Sequence, residues 1–260
     1  MRLALVVLSA ILLCVALASM IAPYDPMQTN TQVSLAAPNT THLLGTDLLG
    51  RDVLSRVLHG GQRTLIVAIG VVAVATLPTT LPTLLFVILG GIWDRLVGIM
   101  INVVLAIPAL LLSLVILTLA GRGWSQIVLA VGVALSAPYM RVLRSAILQV
   151  MAMPYIEGAR ASGAGTWWIA IHHVLPNVMT TVGAYLGVMF SYAIINAAAL
   201  SFLGLGGPPG SPEWGAILAE GRLVFQQAPW VSIAPGILIV LTVMSVNAIV
   251  DMLVERKYHL

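Results

Sequence analysis

A polar segment from Tyr155 to Asn177 contains the residues best suited to dock on a partner protein. Pro154 can begin a helix there, because its missing N–H costs nothing in a first turn. Glu157 would lie in that turn, where a negative charge is favoured and can pair with a basic group. The small Ala159 permits close docking, and Gly163 lets the backbone turn back. The candidate docking residues are Glu157, Gly158, Ala159, Gly163, Leu175 and Pro176.

Four polar side chains lie inside otherwise apolar runs of the sequence, namely Asn102, Ser191, Tyr192 and Asn196. A polar group inside a membrane is costly, so these side chains are candidates for lining a solute pore. Each could equally form a hydrogen bond between two membrane helices, worth roughly 0.6–2 kcal/mol. The sequence leaves both interpretations open.

No motif in the chain indicates catalysis or metal binding. Serine, histidine and aspartate do not converge in a nucleophile motif, and no phosphate-binding G-x-x-x-x-G-K-[ST] run is present. The adjacent His172 and His173 would point to different sides of a helix, so we expect them to pack at the membrane surface. Asp47 and Asp52 lack the spacing of a calcium loop, so we expect solvated turn and cap residues. We therefore predict a protein that is not an enzyme and holds no cofactor.

The composition indicates an integral membrane protein. Of 260 residues, 60% are hydrophobic and 8% are charged, against about 25% charged in a typical soluble domain. The formal charge of +3 is scattered along the chain, so nucleic-acid binding is not expected. With about 20 apolar residues for each crossing, the length allows about six membrane helices.

The apolar runs predict an all-α membrane protein with six spans. These are 3–22, 64–89, 96–120, 125–147, 178–200 and 230–254. The predicted division is a first helix with an extracytoplasmic segment (1–62), a core transmembrane domain (63–254, with the docking loop at about 154–177) and a cytoplasmic tail (255–260). The first run is longer than a signal-peptide core, so we expect an uncleaved span, although Ala16-Leu17-Ala18 is similar to a cleavage site. Gly183 and Gly187 are spaced for close contact between helices.

Three separated stretches resemble the "C-type" permease subunits of peptide/nickel ABC importers. His42 to Arg56, HLLGTDLLGRDVLSR, is similar to that family's LGTD-x-x-GRD-x-x-SR signature. Glu157, Ala159, Gly163 and Leu175-Pro176 resemble the "EAA" coupling loop of ABC-importer permeases. Ala199 to Gly215, with ALSFLGLG, prolines and EWG, resembles the segment after the fifth span. The resemblance covers nearly the whole chain.

The chain departs from the family pattern at several positions. Gly158 replaces the first alanine of the EAA triplet, and His173 stands where isoleucine is common. Many relatives carry a glutamate at the position of Ala197. These departures weaken a prediction of the substrate more than a prediction of the family.

The resemblance implies a type I ABC importer permease fold, with the EAA-like loop as a cytoplasmic coupling helix. It implies a multi-pass protein of the bacterial cytoplasmic (inner) membrane, paired with a second, related permease. Two cytoplasmic ATPases that bind the ATP and an extracytoplasmic substrate-binding protein would complete the assembly. The positive-inside rule gives this orientation only weak support, because seven basic residues lie on the loop's side and five on the other.

The function expected from the resemblance is ATP-driven import of di- or oligopeptides by alternating access. Import of nickel or a metal chelate is an alternative within the family. An ion-gradient-driven secondary transporter is an alternative of another class. Such a transporter predicts inverted repeats and charged groups at mid-membrane, and the sequence shows no clear repeat.

Overall fold

The computed structural model describes residues 2–258, with the side chains of 2–254, and this part of the chain is helical with no β-strand. The predicted all-α fold is confirmed. In chain order the helices are α1 (Arg2–Ala16), α2 (Ala18–Ile21), α3 (Val53–Leu89), α4 (Gly91–Leu105), α5 (Ala109–Ala120), α6 (Trp124–Met151), α7 (Pro154–Ala161), α8 (Thr166–Ile169), α9 (Leu175–Phe202), α10 (Trp214–Arg222) and α11 (Trp230–Tyr258). The predicted tail at 255–260 lies partly outside the described residues.

Four helical runs in the described chain are long and apolar enough to cross a membrane. They are α3, α6, α11 and the continuous run of α8 and α9, Thr166–Phe202. The bent pair α4 and α5 provides a fifth span if the two helices are taken together. Helix α1 is apolar but has only 15 residues, about 22 Å of helix, and α2 follows after a break at Leu17. The prediction of about six spans is therefore approximately correct.

The third predicted span, 96–120, is broken rather than continuous. Helix α4 ends at Leu105, α5 begins at Ala109, and the two helices are bent by 86°. Pro108 stands at the break with an extended ψ of 133°. Proline cannot donate to the preceding turn and disfavours helical geometry in the residue before it. The break follows from Pro108, which the sequence prediction placed inside the span.

Helix α3 begins earlier than the second predicted span, at Val53 instead of residue 64. Asp52 caps its N-terminus by accepting a hydrogen bond from the backbone N–H of Ser55 at 2.8 Å. The helix then continues through Pro78 and Pro82 to Leu89. It therefore crosses the predicted boundary between residues 62 and 63. The polar segment between α2 and α3 (residues 22–52, called the outer segment below) is thus joined to the core by one continuous helix.

The core forms where α3, α6, α9 and α11 pack together, with small residues at their contacts. A side chain at Gly187 would overlap Val250 of α11, so the predicted close helix contact is present there. Gly183 has no such neighbour, so that part of the prediction is wrong. The close contact with α11 holds α9, the long helix that follows α7 and α8, against the core.

Candidate functional site

Helix α7 forms the centre of the predicted docking segment, and local rules explain its start. Met153 has an extended conformation, and Pro154 occupies the first helical turn. Glu157 lies in the first turn and Arg160 in the last turn. Both charges oppose the partial charges of the helix ends, so each is favourably placed along the helix dipole.

A Schellman motif ends α7. Gly163 has φ +87°, and its N–H donates to the carbonyl of Arg160 at 3.0 Å. The N–H of Ala164 donates to the carbonyl of Ala159, also at 3.0 Å. These two bonds satisfy carbonyls that the end of a helix would leave unpaired. Glycine adopts this backbone conformation without steric cost, which gives Gly163 its structural role.

The two faces of α7 differ in their surroundings. Ile156 is fully buried in the main hydrophobic core, and Ala159 packs against that core. Glu157 and Gly158 are exposed, and a side chain at Gly158 would meet nothing within 4 Å. Helix α7 is therefore anchored on one face and open on the other, as a helix that docks on a partner must be.

Leu175 and Pro176 begin α9, but they follow a π-helical turn, Ala170–Val174, instead of a loop. Pro176 has no N–H to give to the carbonyl four residues before it. In the wider turn, Leu175 donates its N–H to Ala170, five residues back. The turn accommodates the proline while the helix continues, so Leu175 and Pro176 lie within the helical run Thr166–Phe202.

His172 and His173 lie among aromatic side chains near α7. The Trp168 ring stacks on His172 with centroids 4.7 Å apart, and Tyr155 lies 5.6 Å from His173. Among the residues described, no group of three or more histidine, cysteine or acidic residues could hold a metal ion. The contacts agree with the predicted packing role, and they tie α7 to the start of α9.

The structure does not bring the four pore candidates together. Ser191 is buried and donates to Asn247 of α11 at 3.1 Å, which is a helix-to-helix bond. Tyr192 is exposed, and Asn196 donates to its backbone carbonyl at 2.8 Å. Asn102 lies elsewhere, on α4, and accepts a hydrogen bond from Arg141 of α6 at 3.3 Å. Their roles in a pore stay predictions, and Ser191 also has the structural role that the sequence left open.

A cluster of charged side chains that was not predicted from the sequence joins α3 and the segment before it to α10. Arg51 and Arg56 both reach Asp47 and the same Oε2 of Glu220. The distances from this Oε2 are 2.6 Å to Arg51 and 2.9 Å to Arg56. Three of the four side chains are at most 6% exposed. The cluster fixes the outer segment on α10, and only the D-x-x-x-R spacing of Asp47 and Arg51 signals it in the sequence.

Asp47 and Asp52 are buried, so the prediction that they are solvated is wrong. Asp52 does cap α3 as predicted, and its other oxygen lies 2.9 Å from Nδ1 of His42. Asp47 is buried because Arg51 and Arg56 surround it. Charges that are paired with opposite charges can be buried where isolated charges cannot.

Glu213 caps α10 from a buried position. Its Oε1 accepts the N–H of Gly215 at 3.1 Å and lies 3.4 Å from the Thr64 hydroxyl of α3. Burial raises the pKa of the Glu213 carboxyl, and the hydrogen bond from the N–H of Gly215 only partly opposes this. The adjacent Trp214 is fully buried and donates to the carbonyl of Val57 at 2.9 Å. Together they hold α10 against α3.

Comparison with known sequences identifies relatives along most of the chain. A family described as "Binding-protein-dependent transport system inner membrane component" matches residues 80–258. The di/tripeptide transport system permease protein DppC of Pseudomonas aeruginosa is 36% identical over 247 residues, covering 93% of this chain and 82% of that protein. The glutathione transport system permease protein GsiD of Pectobacterium atrosepticum is 37% identical over 214 residues, covering 82% of this chain and 71% of that protein.

Two solved structures share the fold. An amino acid ABC transporter with histidines superposes with a TM-score of 0.62 at 18% identity, covering 77% of this chain and 94% of that chain. The inward-facing MetNI methionine ABC transporter superposes with a TM-score of 0.60 at 17% identity, covering 76% and 96% respectively. At these identities the likeness shows the fold alone.

Proposed function

Because this chain belongs to the family of binding-protein-dependent transport system inner membrane components, and so is a multi-pass permease subunit of an ABC importer, we propose that it imports di- or oligopeptides. Membership in this family excludes the alternative of an ion-gradient-driven transporter. The proposed substrate is supported by the relatives, one named for di- and tripeptides and the other for glutathione. A nickel or metal-chelate substrate receives no such support.

The proposed assembly contains a second, related permease, two ATPases and an extracytoplasmic substrate-binding protein in the bacterial inner membrane. Membership in the family implies, in general, ATPase and substrate-binding partners. The pairing of two different permeases is our proposal. ATP is bound by the ATPases, and this chain contributes no catalytic residue. Each permease would form half of the transport pathway.

The observation that carries the proposed coupling to the ATPases is the two-faced geometry of α7. Buried Ile156 joins the helix to the core, and exposed Glu157 is available to a basic group of an ATPase. Closure of the ATPases on ATP would push α7 and rock the helices, opening the pathway outward. Hydrolysis would reset it inward. The differential contacts of the ligands with the two states drive this cycle.

The test is ATP-dependent uptake of radiolabelled alanylalanine into proteoliposomes that contain the complete importer and its binding protein. Unlabelled glutathione and a nickel–histidine chelate serve as competitors. We expect ATP-dependent uptake that an excess of unlabelled dipeptide suppresses and the chelate does not. Uptake of the nickel chelate without uptake of any peptide would overturn the proposed substrate and leave the family unchanged.

A further inference from the structure

A cavity of about 460 Å³ lies between α4 and α6, at the end of the molecule that carries α7. Its polar lining comes from both helices, with Asn102 on α4 and Arg141, Arg144, Ser145 and Gln149 on α6. The Nη2 of Arg141 donates to Oδ1 of Asn102 at 3.3 Å. This bond turns the amide nitrogen of Asn102 away from Arg141, so that it remains available to a ligand.

Asn102 and Arg141 line the part of the cavity that lies farthest from α7 along α4 and α6. Asn102 is 11 residues from the start of α4 and Arg141 is 10 residues from the end of α6. At 1.5 Å per residue both are about 15 Å from the helix ends nearer α7, which is about half the thickness of a hydrocarbon core of about 30 Å. An arginine at this depth is costly unless it has a partner or faces a water-filled cavity.

The cavity carries one uncompensated positive charge. Arg144 makes a two-pronged ion pair with Asp94, with nitrogen–oxygen distances of 2.7 and 2.8 Å, which cancels its charge. No carboxylate among the described side chains lies within ion-pair distance of Arg141, and none of the residues described as lining the cavity is acidic. The fixed groups that face an occupant are therefore a guanidinium and neutral amides and hydroxyls.

We propose that Arg141 and Asn102 form an anion subsite of the transport pathway that binds a carboxylate of the solute being transported. A guanidinium presents a planar set of N–H donors that matches the two oxygens of a carboxylate. The inference rests on the proposed peptide function and deepens it. It assigns the C-terminal carboxylate of a peptide as the recognised group. The same positive charge disfavours a free divalent cation at this site.

The first test measures the charge of the cavity without any substrate. Replacing the single cysteine with Cys14→Ser and adding Ser145→Cys places one thiol on the cavity wall. The assembled importer in detergent is labelled with an anionic or a cationic methanethiosulfonate. We expect the ratio of anionic to cationic rate to fall on the order of tenfold with Arg141→Gln, since the charge acts on the two reagents in opposite senses. Arg141→Lys should keep the ratio.

The matched control is Arg95→Gln, which removes an exposed positive charge from α4 outside the cavity and should leave the labelling ratio unchanged. A ratio unchanged by Arg141→Gln would overturn the proposal. Such a result would show that the charge is already neutralised, as it would be by a carboxylate of the second permease. Because this test needs no transported solute, it fails or succeeds independently of peptide uptake.

The second test determines whether the site recognises the C-terminal carboxylate of a peptide. Alanylalanine should slow anionic labelling of Ser145→Cys more than its C-terminal amide does, and Arg141→Gln should abolish that difference. The measurement omits the binding protein, which has its own ligand preferences. Equal protection by the dipeptide and its amide would overturn recognition of the carboxylate at Arg141.

Discussion

Arg56 of α3 and Glu220 of α10 meet at 2.9 Å across 164 positions of chain. The Arg56 side chain is 1% exposed, and Arg51 binds the same Glu220 oxygen at 2.6 Å. Asp47 completes the cluster by contacting both arginines. The family-like LGTD-x-x-GRD-x-x-SR signature therefore has a structural role, because it locks the outer segment on α10.

Glu220→Gln should destabilise the protein, because it leaves two buried arginines with Asp47 as their only carboxylate among the described residues. Breaking a fully buried ion pair costs about 3–5 kcal/mol. Glu220 is 32% exposed, so we expect roughly 2 kcal/mol. Thermal unfolding of the purified subunit measures the effect. Glu157→Gln, at an exposed carboxylate, is the control, and equal melting of the two variants would contradict this role.

Glu213 should make stability depend on pH. Its pKa is raised by burial, so the folded state holds the proton more tightly than the unfolded state. The stabilisation is complete below the ordinary glutamate pKa and is lost as the pH rises through the raised value. Glu213→Gln keeps an acceptor for the N–H of Gly215 and cannot ionise. We expect it to unfold at a temperature that varies less with pH, above the ordinary glutamate pKa, than that of the wild type.

Glu213→Ala provides the contrast, because it removes the ionisation together with the helix cap. It should be less stable than Glu213→Gln by about 1 kcal/mol at every pH. If Glu213→Gln were as strongly pH-dependent as the wild type, another group would be responsible for the dependence.

Gly163→Ala should disturb the end of α7, whereas Gly158→Ala should not. The φ of +87° at Gly163 costs an alanine about 1–2 kcal/mol. Gly158 is helical with open space around it, so alanine there favours the helix by about 0.5–1 kcal/mol. We expect Gly163→Ala to slow ATP-driven uptake about fivefold or more. Equal uptake by the two variants would show that transport does not depend on the Schellman motif that ends α7.

Local rules in the sequence were sufficient to predict α7. Pro154 begins the helix, Glu157 occupies its first turn and Gly163 ends it, and each role depends only on neighbouring residues. Pro108 shows the limit of such rules, because proline is tolerated inside membrane helices when neighbours satisfy the freed carbonyls. Helix α3 continues through Pro78 and Pro82, while the α4–α5 pair bends by 86° at Pro108.

Long-range pairs could not be predicted from the sequence. The contacts of Arg56 with Glu220 and of Arg141 with Asn102 join helices whose relative register no spacing rule determines. Burial of Asp47 and Asp52 depends on the same contacts, since a carboxylate in a turn is solvated unless a cation meets it. The charged residues of the outer segment therefore required the folded structure to be understood.

The central claim is that α7 transmits the movement of the ATPases to the membrane helices. Its most direct test compares the wild type with Glu157→Lys for co-purification with the cognate ATPase and for ATP-driven uptake, with Arg95→Gln, an exposed charge of α4 outside the docking segment, as the control. Reversing an exposed charge on the open face should abolish ATPase association and uptake while membrane insertion stays intact. A Glu157→Lys protein that binds the ATPase and transports at the wild-type rate would contradict the account.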